Sequence, residues 1–249
     1  MKKANSKISI LIQMVIFGWL AGCLSVPACA GTFTVTPIRI YMSPRDKAVA
    51  VTITNDSDED LVMQADIYNW KQKPDGEDDL SLSEDMLLYP PIIKVPAKSH
   101  QVVRLARLVP PPQAIQLTYR LIVREIPEAK PAKDKTVQLQ VALAFSMPVF
   151  ITPRGAKSKL DCVAQRSAAN AFYAVCENTG SAYVEPLDFV LTNPAGEKLA
   201  ISEQHGYILP AIKRRFAIKS DKRIPGGKAK LTVSLDDGTK QTFDVTLSE

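Results

Sequence analysis

Across residues 136–150 every second position is large and apolar: Val137, Leu139, Val141, Leu143 and Phe145 alternate with Gln138, Gln140, Ala142, Ala144 and Ser146. Side chains alternate across a strand, so this run predicts a strand with five apolar groups on one face. Burying a Val, Leu or Phe side chain is worth roughly 1.5 to 3 kcal/mol, so the stripe represents about 8 to 15 kcal/mol gross. Such a face needs a partner. It is either the protein's own second sheet or another chain, and periodicity does not choose between them.

From Phe33 onward, short runs of period two recur between turn signals, and no segment sustains a helical period. Strands are predicted at 33–42, 48–54, 61–70, 101–108, 119–125 and 136–151, with polar or proline-rich breaks at 55–60, 73–79 and 109–113. Thr152-Pro153-Arg154-Gly155 reads as a linker. Shorter runs follow at 159–164, 171–177, 187–191, 198–201, 215–219, 229–235 and 242–247. Between them, Asn193-Pro194-Ala195-Gly196 and Asp236-Asp237-Gly238 have the composition of hairpin turns. The spacing predicts an all-β fold of two consecutive β-sandwiches, residues 31–152 and 153–249.

A chain of 249 residues, 46% hydrophobic and 23% charged, can fill two modest cores. The first 30 residues differ in kind. Lys2, Lys3 and Lys7 precede an apolar run at 8–20, and Ala28-Cys29-Ala30 has the small-x-small form of a cleavage site. This predicts a secretory signal peptide over 1–30, its apolar run being short of the ~20 residues a membrane span needs. Leu20-Ala21-Gly22-Cys23 also resembles a lipoprotein box, which would lipidate Cys23 and leave Cys29 as an odd thiol. Cleavage after Ala30 instead leaves an even pair, Cys162 and Cys176. In an oxidising compartment these predict a disulfide, worth about 3 kcal/mol for a loop of that size.

Loss of Lys2, Lys3 and Lys7, with no acid among the same residues, lowers the formal charge from +5 to +2. Nothing in that balance calls for nucleic acid or an anionic surface, and the basic clusters at 213–215 and 219–223 read as solvated strand ends. His100 and His205 fall in different predicted sandwiches, outside any ligand spacing, and read as surface residues. There is no Gly-x-Ser-x-Gly, phosphate loop or Cys-x-x-Cys. Asp75-Gly76-Glu77-Asp78-Asp79 lacks the alternating ligands and distal Glu of a calcium loop and reads as a solvated turn. No catalytic set, metal site or cofactor is predicted, and the chain is read as a non-enzyme.

Several segments stand together in a recognisable order. They are Thr36-Pro37-Ile38-Arg39-Ile40, Val51-Thr52-Ile53-Thr54-Asn55, Trp70, Asp75-Gly76-Glu77-Asp78-Asp79-Leu80, Pro90-Pro91 and Val103-Arg104-Leu105. Tyr119-Arg120-Leu121, Arg124-Glu125-Ile126-Pro127, Met147-Pro148-Val149-Phe150 and Pro153 complete the set. In this the chain resembles the periplasmic chaperones of the chaperone-usher pathway of pilus assembly. In the second half the likeness rests only on Glu177-Asn178-Thr179-Gly180, Ile208-Leu209-Pro210 and Arg215.

The resemblance implies two immunoglobulin-like sandwiches in a boomerang. It implies a periplasmic chaperone that lends the last long strand of its first sandwich to a pilin and delivers it to an outer-membrane usher. That strand is 136–150, and Val137, Leu139, Val141, Leu143 and Phe145 would fill the pilin's groove. The loop before it, 128–135, has three lysines and one proline, a composition that keeps an open edge soluble. Without a client, that edge is a site for self-association.

The family holds the pilin's C-terminal carboxylate with two cations. The first falls on Arg39, whereas the second position falls on Pro148, which has neither charge nor N–H. The family's inter-domain arginine position falls on Thr152. Arg104, Arg120, Arg124 and Arg154 are the candidate substitutes, unranked by sequence. Pro148, Trp70 and the acidic stretch are similar to the archaic branch of the family. The resemblance also implies a cis bond at Tyr89-Pro90. The competing expectation is an exported immunoglobulin-like structural or adhesive module, lipid-anchored through Cys23.

Overall fold

Strand pairing sorts the described residues into four sheets. In the computed structural model residues 33–127 and 142–248 are described, and they contain no helix. Residues 1–32 with Cys23 and Cys29, residues 128–141 with Val137, Leu139 and Val141, and residue 249 lie outside the described residues.

The first ten strands are β1 (Phe33–Thr36), β2 (Ile40–Met42), β3 (Ala48–Asn55), β4 (Leu61–Gln72), β5 (Asp78–Leu82), β6 (Met86–Tyr89), β7 (Ile92–Val95), β8 (Ser99–Arg107), β9 (Leu117–Glu125) and β10 (Ala144–Ile151). One sheet runs β1-β3-β8-β6; the other runs β2-β10-β9-β4-β5, with β7 also on β4. Their inward faces enclose Ile40, Ile53, Met63, Ile93, Leu105 and Leu121. The predicted strand 33–42 is two strands in different sheets, divided at the cis bond Thr36–Pro37. Proline fixes φ and lacks the N–H a continuous ladder requires. The Tyr89–Pro90 bond is cis, as the resemblance implied.

In β4 the burial alternates through Leu61, Met63, Ala65 and Ile67, then changes phase, so that Trp70 and Gln72 are buried instead. Alternate residues face opposite sides, so the end of β4 turns its buried side away from its own core. That side meets the second sandwich.

The second sandwich comprises β11 (Leu160–Ala168), β12 (Ala171–Asn178), β13 (Pro186–Thr192), β14 (Lys198–Glu203), β15 (Lys213–Lys219), β16 (Gly227–Leu235) and β17 (Lys240–Leu247). Its sheets are β11-β12-β15 and β14-β13-β16-β17, closed over Phe172, Phe189, Phe216 and Leu231. Cys162 and Cys176 are register partners on β11 and β12 and form the expected disulfide. Gly196 and Gly238 take positive φ at the two predicted hairpin turns, a conformation that favours glycine. Trp70, Phe150 and Leu209 form a third buried cluster where the two sandwiches meet.

Candidate functional site

The strand β10 is paired antiparallel to β9 along its whole length, but on its other edge β2 reaches only Val149, Phe150 and Ile151. Among the described residues, positions 144–148 therefore have a strand on one side only. The Glu125 N–H donates to the Leu143 carbonyl at 2.8 Å and the Thr152 N–H donates to the Met42 carbonyl at 3.0 Å. Main-chain direction alternates along a strand, so odd positions of β10 point to β9, and Ala144, Ser146 and Pro148 point to the open edge. Proline has no N–H to offer there, so Pro148 costs the existing ladder nothing and supplies no donor to the open edge.

The side chains tell the same story on the inward face. Ile151, Val149 and Met147 are buried in the core, while Phe145 and Leu143, next along that face, are 37% and 42% exposed. Phe145 keeps Phe33 as an aromatic neighbour, at 4.9 Å between centroids. The apolar face thus leaves the core toward Leu143, beside an edge that no described strand covers at 144–148.

At the other end of this strand, the register partner of Pro148 on β9 is Arg120. A cation missing from β10 is present on its neighbour. The Arg120 guanidinium lies 3.7 Å from the centroid of the Trp70 ring and 5.4 Å from that of Tyr207. Its side chain is 14% exposed and pairs with Asp78 Oδ2 at 3.4 Å, and among the described residues its buried Nε has no hydrogen-bond partner. Burial holds its pKa below the ordinary arginine value. Five N–H donors with so few acceptors leave the group ready for an anion.

Arg39 is more fully engaged. Its Nη1 donates to Asp236 Oδ2 at 2.9 Å and its Nη2 lies 2.8 Å from Glu185 Oε2, both on the second sandwich. That second contact is an ion pair without hydrogen-bond alignment, since Glu185 Oε2 receives no hydrogen bond. Burial raises the Glu185 pKa, with Arg39 opposing. Asp236 also accepts from the Tyr183 hydroxyl at 2.9 Å, and Phe150 stacks on Tyr183 at 4.1 Å. The Arg39 guanidinium lies 5.5 Å from Tyr207, so Tyr207 has both arginines as neighbours.

The other candidate cations are elsewhere. Arg124 pairs with Asp66 at 2.8 Å and receives the Tyr68 hydroxyl as acceptor at 3.2 Å. Arg104 is exposed on the opposite sheet and Arg154 is exposed in the linker. His100 and His205 are both exposed.

The acidic stretch departs from the solvated turn expected of it. Asp78 begins β5, and its Oδ1 accepts from Trp70 Nε1 at 2.8 Å and from Gln72 Nε2 at 3.2 Å. Gln72 is buried; its Nε2 also donates to the Tyr207 carbonyl at 3.0 Å, and its Oε1 accepts from the Leu209 N–H at 2.9 Å. Arg214, read as a solvated strand end, donates to the Tyr207 carbonyl at 3.1 Å and lies against Gly76. Trp70, Gln72, Asp78 and Tyr207 were not singled out as a site by sequence. The phase change in β4 is the signal that would have found the first two.

Residues 32–157 match the family described as pili and flagellar-assembly chaperone, PapD N-terminal domain. The chain belongs to this family of pilus chaperones. No curated protein matches the chaperone in sequence. Among solved structures it is similar to a chain of the CsuC-CsuE chaperone-tip adhesion subunit pre-assembly complex from archaic chaperone-usher Csu pili of Acinetobacter baumannii. That match has 22% identity and a TM-score of 0.63, and covers 88% of this chain and 100% of the other. The E. coli chaperone DraB matches with 20% identity and a TM-score of 0.57, covering 88% and 97%. The Salmonella enterica SafA pilin in complex with the SafB chaperone matches with 15% identity and a TM-score of 0.57, also covering 88% and 97%. At these identities the likeness shows the fold, two immunoglobulin-like β-sandwiches.

Proposed function

We propose that the protein is a periplasmic chaperone that captures pilin subunits by lending them the strand 136–150, and passes them to an outer-membrane usher. The observation that carries this reading is the free edge of β10 at 144–148 beside an apolar face that emerges from the core at Phe145 and Leu143. An added strand satisfies open main-chain groups, while the stripe Val137, Leu139, Val141, Leu143 and Phe145 fills the client's groove. Each main-chain bond is worth only about 0.5 to 1.5 kcal/mol net, and each buried apolar side chain about 1.5 to 3. The stripe therefore supplies most of the affinity and the ladder supplies register.

The client's C-terminal carboxylate is assigned to Arg120 with Arg39, the two guanidinia beside Tyr207. Arg120 takes the part of the cation that Pro148 lacks, because the register places it across from that residue. Arg104 is exposed on the opposite sheet, Arg154 is exposed in the linker, and Arg124 faces Asp66 and Tyr68. The family and the kinds of complex named for its structural neighbours support a pilin or tip subunit as client. The trace of an archaic pattern in Met147-Pro148-Val149-Phe150 agrees with the Csu likeness. In this reading residues 1–30 are an export signal cleaved after Ala30, and the chain divides into its two domains at 152–153.

Co-expression of the full chain with the small secreted protein encoded beside it tests the proposal. The expected result is a soluble one-to-one complex recovered from the periplasm, with the small protein aggregated or degraded when this chain is omitted. Equal solubility of the small protein without this chain sinks the reading.

A further inference from the structure

The Arg39 and Arg120 guanidinia flank the Tyr207 ring and are paired with Glu185 and Asp236, and with Asp78, respectively, while Arg214 reaches the Tyr207 carbonyl. A client carboxylate arriving at these guanidinia competes with the acids already paired to them, and the one held most weakly gives way first. The contacts say which. Glu185 and Asp236 hold Arg39 at 2.8 and 2.9 Å, with side chains 8% and 17% exposed. Asp78 holds Arg120 at only 3.4 Å, and its side chain is 41% exposed.

We propose that Asp78 is a placeholder carboxylate that occupies Arg120 while the cleft is empty and yields the guanidinium to the client's C-terminal carboxylate. This rests on the assignment of Arg120 as the client's anchor. Exchange needs little movement, because Asp78 uses different oxygens for its two tasks. Oδ2 faces Arg120, while Oδ1 stays with Trp70 Nε1 and Gln72 Nε2. When Oδ2 is released it turns to water, which its exposure already allows, and the Trp70 platform under Arg120 keeps its hydrogen bond.

The placeholder also sits on the seam between the sandwiches. Gln72 joins Asp78 to the main chain at Tyr207 and Leu209. Beside it Gly76, at φ +88°, lets the hairpin lie on Arg214, whose Cγ is 2.8 Å from where a Cβ would stand. This fixed hairpin keeps Asp78 at Arg120 before a client arrives, and so prevents a buried, under-bonded cation from recruiting the wrong anion.

The probe is the C-terminal ten-residue peptide of the neighbouring small secreted protein, made with a free carboxylate and with a C-terminal amide. Binding to the full mature chain is measured by calorimetry. The wild type is expected to prefer the acid over the amide. Asp78→Asn, which keeps an acceptor for Trp70, is expected to raise affinity for the acid about tenfold and leave the amide unchanged. Asp78→Glu keeps the charge and is expected to retain the wild-type ratio. If the wild type and Arg120→Ala bind acid and amide alike, the anchor assignment itself fails. If the wild type prefers the acid and Asp78→Asn brings no gain, or Asp78→Glu gains as much as Asp78→Asn, the placeholder is overturned and the anchor stands.

Discussion

Substituting Leu139→Asp or Phe145→Asp is expected to abolish recovery of the client complex. Each change forfeits roughly 1.5 to 3 kcal/mol of apolar burial and places a carboxylate in an apolar groove, where an unpaired charge costs several kcal/mol more. A combined loss of about 5 kcal/mol is a factor of several thousand in affinity, beyond what the remaining stripe positions make up. The chaperone itself should be barely affected by the change at Phe145, which is 37% exposed and touches Phe33 at its edge. Thermal unfolding of the free variant, run beside the pull-down, separates lost binding from lost folding. A complex that survives both substitutions rules out the stripe as the client's ligand.

Trp70→Ala should have the largest effect on the free protein. Trp70 is 1% exposed and packs on Phe150 and Tyr207 at 5.9 and 5.2 Å, with Arg120 at 3.7 Å above its ring. Truncating a buried aromatic of this size costs about 3 to 5 kcal/mol. The orphaned hydrogen bond at Asp78 and the lost cation–π contact fall within that figure. Urea unfolding followed by circular dichroism measures it, and Trp70→Phe should recover much of the loss while still lacking the 2.8 Å bond to Asp78. A cost for Trp70→Ala below about 1 kcal/mol contradicts the packing described for this seam.

The strands that carry regular alternation and bury one face were legible in the sequence, because a period of two is set by strand geometry alone. The disulfide followed from an even pair of cysteines, and the structure forms it between register partners. What escaped were elements too short or too polar to show a period. β5 has five exposed residues, and β6 and β7 have four each around the cis Tyr89–Pro90 bond. The break at Pro37 was also missed, since the run before and after it is apolar enough to pass for one strand.

The cleft was less visible for a different reason. Sequence showed that Pro148 lacks the expected cation and could not rank four arginines, because ranking requires register. Arg120 stands 28 positions before Pro148 in the chain and is its neighbour only through the pairing of β9 with β10. Likewise the role of Gln72 depends on Tyr207 and Leu209 of the other sandwich, and Asp78 joins them only through Gln72.

Strand addition at the open edge of β10 makes a residue-specific demand that amide hydrogen exchange by NMR reads directly. The N–H groups of Ala144 and Ser146 point to that edge, whereas those of Phe145 and Met147 point to β9. On adding the client, Ala144 and Ser146 are predicted to change from fast exchange to protection of at least a hundredfold, as two ladder bonds form. Exchange at Ala144 and Ser146 that stays as fast in the complex as in the free chaperone contradicts strand addition.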